Sequence, residues 1–152
     1  MGRPSRRPKK CTAAVRRSRA GRPNPTPAER HLLALAREIA RLPLVAAVER
    51  LASAWAPTSS LPGVVAAAWV RSRGDKTAAL ALAYAREQVR LSLQEILEAA
   101  PPATRGPRAA GPETLAWVLL AGCEALAHEP PSAVAERVSV LLELSGHDAS
   151  TG

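Results

Sequence analysis

The chain has 152 residues, and a hydrophobic fraction of 47% is enough for one domain with its own core. Its net charge of +8 is uneven, because residues 1–30 hold ten Lys or Arg and one acid, whereas residues 31–152 hold eleven basic and twelve acidic residues. Two cysteines exclude a disulfide framework. No apolar run reaches the roughly 20 residues of a membrane span. We therefore expect a cytoplasmic protein with a basic tail.

Residues 1–25 are dominated by Pro and Arg and contain few hydrophobic side chains. Such a segment cannot bury enough apolar surface to offset the entropy lost on ordering, so we predict that it is disordered. We assign residues 26–146 to one helical domain and residues 147–152 to a disordered C-terminus.

The domain is predicted to be all-α, a single bundle of about six helices without strands. Thr26, Pro27 and Glu29 form a capping box that opens the first helix. Asp75 is predicted to cap the fourth helix and Ser132 the sixth. The apolar spacing and the Pro and Gly breaks place the helices at 27–42, 44–56, 61–73, 76–100, 112–128 and 133–144. In the third helix, we expect Val65, Ala68 and Trp69 to face inward.

The tail resembles an AT-hook in residues 2–10, where Gly2-Arg3-Pro4 is followed by further Arg and Lys residues; Gly21-Arg22-Pro23 repeats the short motif. Met1 and Ala20 stand where the motif has an Arg. Such a narrow, extended segment fits a minor groove, and a narrow A·T groove attracts arginine. The predicted DNA contacts are Arg3, Arg6, Arg7, Lys9, Lys10, Arg16, Arg17, Arg19 and Arg22.

Residues 112–146 (PETLAWVLLAGCEALAHEPPSAVAERVSVLLELSG) resemble the C-terminal regulatory domain of TetR-type transcription regulators. In that family the two closing helices form a four-helix dimer interface with those of a second copy. The resemblance implies a nucleoid-associated regulator that is a homodimer. The resemblance implies core or dimer-interface positions at Leu115, Leu119, Gly122, Leu126, Val134, Val138, Leu141 and Leu142.

The helix-turn-helix of that family is not recognisable here. The second predicted helix offers only Glu49, Arg50 and Ser53 as polar side chains, whereas a recognition helix needs several hydrogen-bond donors. Any contact with DNA is therefore expected from the tail.

A regulatory domain of this type would hold a small apolar ligand between its helices. The candidate pocket residues are Trp55, Trp69, Tyr84, Trp117 and Cys123. The alternative is that these side chains are ordinary core residues, which is the commoner role of aromatic side chains on helix faces.

We predict no enzyme, no cofactor and no metal site. His31, His128 and His147 are not spaced with a Cys or carboxylate as in a catalytic triad or a metal site. Two alternatives to a DNA-associated regulator stay open: a ligand-binding or dimerisation module without DNA binding, and a phage or mobile-element protein that binds nucleic acid non-specifically.

Overall fold

The structure, a computed structural model, describes residues 24–100 and 110–146. Within these ranges it has six α-helices and no strand, as the all-α prediction requires. The predicted disordered segments lie outside the described residues, apart from Asn24 and Pro25. The helices are α1 (Pro27–Ile39), α2 (Leu44–Ala54), α3 (Leu61–Arg71), α4 (Lys76–Ala99), α5 (Pro112–Ala125) and α6 (Val134–Leu144).

Two predicted helix caps are present. The amide of Glu29 donates to Thr26 Oγ1 at 3.3 Å, and the Thr26 hydroxyl donates to Glu29 Oε1 at 2.8 Å. The carboxylate thus accepts from the hydroxyl and not from the Thr26 amide that a capping box uses. Asp75 Oδ1 accepts from the amides of Thr77 and Ala78, both at 3.0 Å. These bonds satisfy amides that have no partner inside the helix.

The long helix α4 organises the core, since α1 and α5 both pack along it. Its buried residues recur every three or four positions, so they form one face of the helix. α2 contacts α1, α4, α5 and α6 and closes the bundle at one end of this arrangement. The buried residues of α4 are Leu82, Ala85, Val89, Leu93 and Leu97.

Three local predictions were wrong. Ser132 does not cap α6; it lies in a 3₁₀ turn, Pro131–Ala133, and α6 begins after it without a side-chain cap. Pro130 holds the extended N-cap position (φ −64°, ψ 142°), so Ser132 lies inside the turn and its hydroxyl is not placed as an N-cap. The fifth helix ends at Ala125 and continues only as a 3₁₀ turn. The side chain of Trp69 is 40% exposed and does not face the core.

α5 and α6 approach closely at Gly122. A Cβ atom placed on Gly122 would lie 2.5 Å from Cδ2 of Leu141 and 3.4 Å from its Cγ. The absence of a side chain at this position therefore lets Leu141 lie directly against the backbone of α5. The approach holds the C-terminal helix to the rest of the bundle.

In the described ranges, no helix combines the length and the apolar character needed to cross a membrane.

Candidate nucleic-acid-binding surface

Three arginines form a stripe on the outer side of α1 and its C-terminal turn. Arg30, Arg37 and Arg41 are all exposed, and spacings of seven and four residues place them on one face. The opposite face carries Leu32 and Ile39, which are buried in the core. The stripe is thus the part of α1 farthest from the core.

The acids that flank this stripe are engaged elsewhere. Glu38 binds Arg50 of α2, with 2.7 Å between Oε1 and Nε, and this hydrogen bond lowers the pKa of the Glu38 carboxyl. Glu29 accepts from Thr26. Arg37 and Arg41 form no ion pair with another described residue. The face therefore carries uncompensated positive charge.

The stripe begins where the basic tail ends. All nine predicted DNA contacts precede residue 24 and lie outside the described residues. Arg30 donates from Nη1 to the carbonyl oxygen of Pro25 at 2.6 Å, which ties the last residues before α1 to the stripe. Cationic residues of the tail and of α1 are consequently neighbours along the chain.

A second group of cations lies at the turn between α3 and α4. Arg71, Arg73 and Lys76 are exposed, and none of them pairs with a carboxylate among the described residues. Gly74, with φ of +92°, adopts the left-handed conformation that lets the chain turn so tightly. This group offers a comparison surface with the same charge as the α1 stripe.

The residues considered for a recognition helix are not arranged as one. Arg50 is half-buried and bound to Glu38, so its guanidinium is not available to a base edge. Glu49 and Ser53 are exposed, which leaves an acid and a hydroxyl as the polar side chains on that helix. α2 therefore lacks the donors that major-groove recognition uses.

The five predicted pocket residues do not share one environment. Trp55 and Cys123 are buried, whereas Trp69, Tyr84 and Trp117 are 40%, 59% and 57% exposed. A pocket formed by all five side chains is thus inconsistent with their placement, because three of them contact solvent. Among the described residues, Trp55 Nε1 is a buried nitrogen without a hydrogen-bond partner. A small apolar ligand stays a prediction.

Cys123 is a core thiol. Burial, helped by the neighbouring charge of Glu124, raises the pKa of Cys123 to about 12. Such a thiol is a weak nucleophile at neutral pH, because the thiolate is the reactive form.

This shift predicts a dependence of stability on alkaline pH. Above the ordinary pKa of 9.0, the unfolded chain releases the Cys123 proton that the folded protein keeps. The free energy of unfolding should therefore fall as the pH rises from 9.0 toward about 12, by at most about 1.4 kcal/mol per unit.

Urea unfolding of the wild type and of Cys123→Ala at several pH values between these limits measures the effect. The alanine variant should lack this contribution and keep that of the other titrating groups. Parallel pH profiles of the two proteins would contradict the prediction.

The predicted dimer-interface residues lie largely within the chain's own core. Five of the eight positions are buried, so a second copy cannot contact these side chains unless the bundle opens. The buried leucines are therefore core residues of this chain, and a dimer interface on α5 and α6 stays a prediction. The buried ones are Leu115, Leu119, Leu126, Leu141 and Leu142, and those partly buried are Gly122, Val134 and Val138.

The α1 stripe and the cations between α3 and α4 were missed by sequence reasoning. The signal was available for α1, because Arg30, Arg37 and Arg41 repeat with the helical period opposite Leu32 and Ile39. Arg30 was counted with the tail, which obscured the repeat.

No family model matches the chain, and no curated protein or solved structure shows significant similarity to it.

Proposed function

We propose that this protein is a nucleoid-associated DNA-binding protein that contacts the phosphate backbone with its basic tail and with the arginine stripe of α1. A role as a transcription regulator is part of the proposal and is based on the TetR-type resemblance alone. The argument for nucleic acid rests on the exposed arginines of α1 next to the end of the tail, which pair with no carboxylate among the described residues.

The dimensions of the stripe suit a phosphate backbone. Arg30 and Arg41 are eleven residues apart, which corresponds to roughly 16 Å along a helix. One strand of duplex DNA presents a phosphate about every 3.4 Å of axis, so the stripe spans about five phosphates. An arginine in such a position can hold a phosphate oxygen with two donors.

The two parts of this surface supply different properties. Contacts with phosphates position a protein but carry no sequence information, so α1 should bind all duplexes alike. The Gly-Arg-Pro segments of the tail are the part that can enter a minor groove. We expect any preference for A·T-rich DNA to depend on the tail and to be independent of α1.

The test replaces Arg30, Arg37 and Arg41 with Gln in the full chain. Each arginine that contacts a phosphate releases counterions, so the slope of log K against log salt should decrease by about 2.7 in the triple variant. At about 0.1 M salt, the affinity should fall by one to two orders of magnitude. Fluorescence anisotropy with a labelled duplex across a salt series measures both quantities.

The matched control replaces Arg71, Arg73 and Arg137 with Gln and leaves Lys76 of the α4 helix unchanged. It removes the same charge from exposed positions elsewhere on the domain. A loss of affinity as large in the control as in the α1 variant would mean that net charge matters and that the stripe is not a binding surface. An unchanged salt slope in the α1 variant would also contradict the proposal.

A protein-interaction module without DNA binding is the second candidate. The exposed side chains of Tyr84 and Trp117 favour it, because aromatic residues are enriched in the centres of protein interfaces. Absence of DNA binding by the full chain at low salt would favour this alternative.

A further inference from the structure

The outer face of α4 carries apolar side chains that the core does not use. Leu80 is 70% exposed and Tyr84 is 59% exposed. Leu91 is partly buried and is not one of the partly buried residues that pack against the core cluster. Spacings of four and seven residues place these three side chains on one face, opposite the buried Leu82 and Val89. This solvent-facing apolar stripe is named the α4 face.

Trp117 of α5 does not belong to the α4 face. It lies seven residues before Glu124, so both are on one stripe of α5. Glu124 binds Arg86 of α4 through two hydrogen bonds, both of 2.7 Å, and this pair raises the pKa of Arg86. Arg86 lies about 200° around the helix from Tyr84, so the stripe of α5 runs along a different side of α4.

Charges of opposite sign stand at the two ends of the α4 face. Lys76, with Arg73 just before it, is at the N-terminal end. Glu95 and Glu98 are exposed at the C-terminal end. Viewed along the helix axis, the side chains of Lys76 and Glu98 project to the same side of α4 as Leu80. The surface thus has a positive end, an apolar centre and a negative end.

We propose that the α4 face is where two copies of this chain associate, with their α4 helices antiparallel about a two-fold axis near Glu87. In this arrangement Tyr84 meets Leu91 of the second copy, and Lys76 meets Glu98 of the second copy at both ends. Two-fold symmetry brings a surface against itself, and the ordered charges of this surface are complementary only in that antiparallel direction.

The centre of the arrangement avoids repulsion between equal charges. Two copies of Glu87 approach each other at the axis, but each is bound within its own chain to Arg90, with 2.6 Å between Oε1 and Nη2. Arg90 is also bound to Gln94. Each glutamate is therefore neutralised by an arginine of its own chain, and the region around the axis carries little net charge.

This inference places the association of two copies on α4 instead of α5 and α6, and it does not depend on DNA binding. A dimer would present two tails and two α1 stripes to one DNA molecule. The test is accordingly made without nucleic acid, and DNA binding of the same variants is measured separately.

Sedimentation equilibrium of the full chain over a range of concentrations tests the proposal. The wild type should be a dimer, and Leu80→Glu with Tyr84→Glu should raise the dimer dissociation constant about thirtyfold or more, as for residues central to an interface. Val70→Glu with Leu144→Glu is the control, since these exposed apolar residues lie on α3 and α6. The control should associate like the wild type.

A charge exchange tests the antiparallel direction. Lys76→Glu and Glu98→Lys should each weaken association about tenfold, and the double variant should recover it, because the pair is restored with reversed signs. Both substitutions favour the helix, since they put an acid at its N-terminus and a base at its C-terminus. Weaker association therefore cannot be attributed to a less stable α4.

A monomeric wild type would overturn the inference, whether or not it binds DNA. A dimer that is unaffected by the Leu80 and Tyr84 substitutions would also overturn it. Recovery in the double charge variant would support the proposed register, and equal loss in all three charge variants would exclude it.

Discussion

A protein that begins at Thr26 should bind duplex DNA on the order of a thousandfold more weakly than the full chain at about 0.1 M salt. Residues 1–25 contain nine Lys or Arg and no acid. A protein with six to ten phosphate contacts loses about three to five orders of magnitude in affinity between roughly 50 and 200 mM salt. Removal of most of these contacts should therefore remove most of both the affinity and its salt dependence.

The measurement compares the two proteins on A·T-rich and G·C-rich duplexes of equal length across a salt series. A preference for A·T by the full chain that the shorter protein lacks would support a minor-groove arm. Circular dichroism of the shorter protein controls for folding, since its helices begin at Pro27. Equal affinities of the two proteins would exclude the tail as a binding element.

Leu119→Glu is expected to unfold the domain. Leu119 has no exposed surface and lies among the buried residues of α5. An unpaired carboxylate at such a site costs several kcal/mol, and loss of the leucine costs about 2–5 kcal/mol more. These costs approach the total stability of a small domain, which is about 5–15 kcal/mol.

Far-ultraviolet circular dichroism and thermal unfolding measure this effect, with Leu144→Glu as the control. Leu144 is 55% exposed on α6, so the same charge there should leave the melting temperature within a few degrees of the wild type. A folded Leu119→Glu protein that has merely become monomeric would show that the position belongs to an interface and not to the core.

The contrast between Leu119 and Leu80 explains what the sequence could and could not predict. Both are leucines in strongly helical segments, and the apolar period identifies the buried face of each helix. That period does not reveal whether a face is covered by the same chain or by a second copy. The apolar stripe of α5 and α6 was therefore assigned to a dimer interface, although α2, α4 and the two helices themselves cover it.

Helix positions were predictable because their signals are local. Thr26, Asp75 and the prolines at 27 and 112 fix the starts of three helices through hydrogen bonds and backbone geometry that involve only adjacent residues. Ser132 shows the limit of such signals. A serine suits an N-cap, but Pro130 takes the extended conformation before the turn, so Ser132 falls inside the turn and does not cap α6.

The candidate surface was predicted only in part, for a related reason. Charge composition identified the tail, because a run of arginines needs no fold to be recognised. Arg37 and Arg41 carry uncompensated charge because the neighbouring Glu38 of α1 binds Arg50 of α2. Charge compensation of this kind depends on tertiary packing, which a linear count of acids and bases does not contain.

Because the three tryptophans differ in exposure, the intrinsic fluorescence of the protein reports separately on its surface and its interior. Trp55 is 5% exposed, whereas Trp69 and Trp117 are largely accessible to solvent. A collisional quencher such as iodide can therefore reach the emission of two tryptophans and leave that of the third. The quenched fraction monitors the surface of the bundle, and the protected blue-shifted fraction monitors its interior. Opening of the core and covering of the surface around Trp69 or Trp117 can thus be distinguished in one fluorescence experiment without any attached dye.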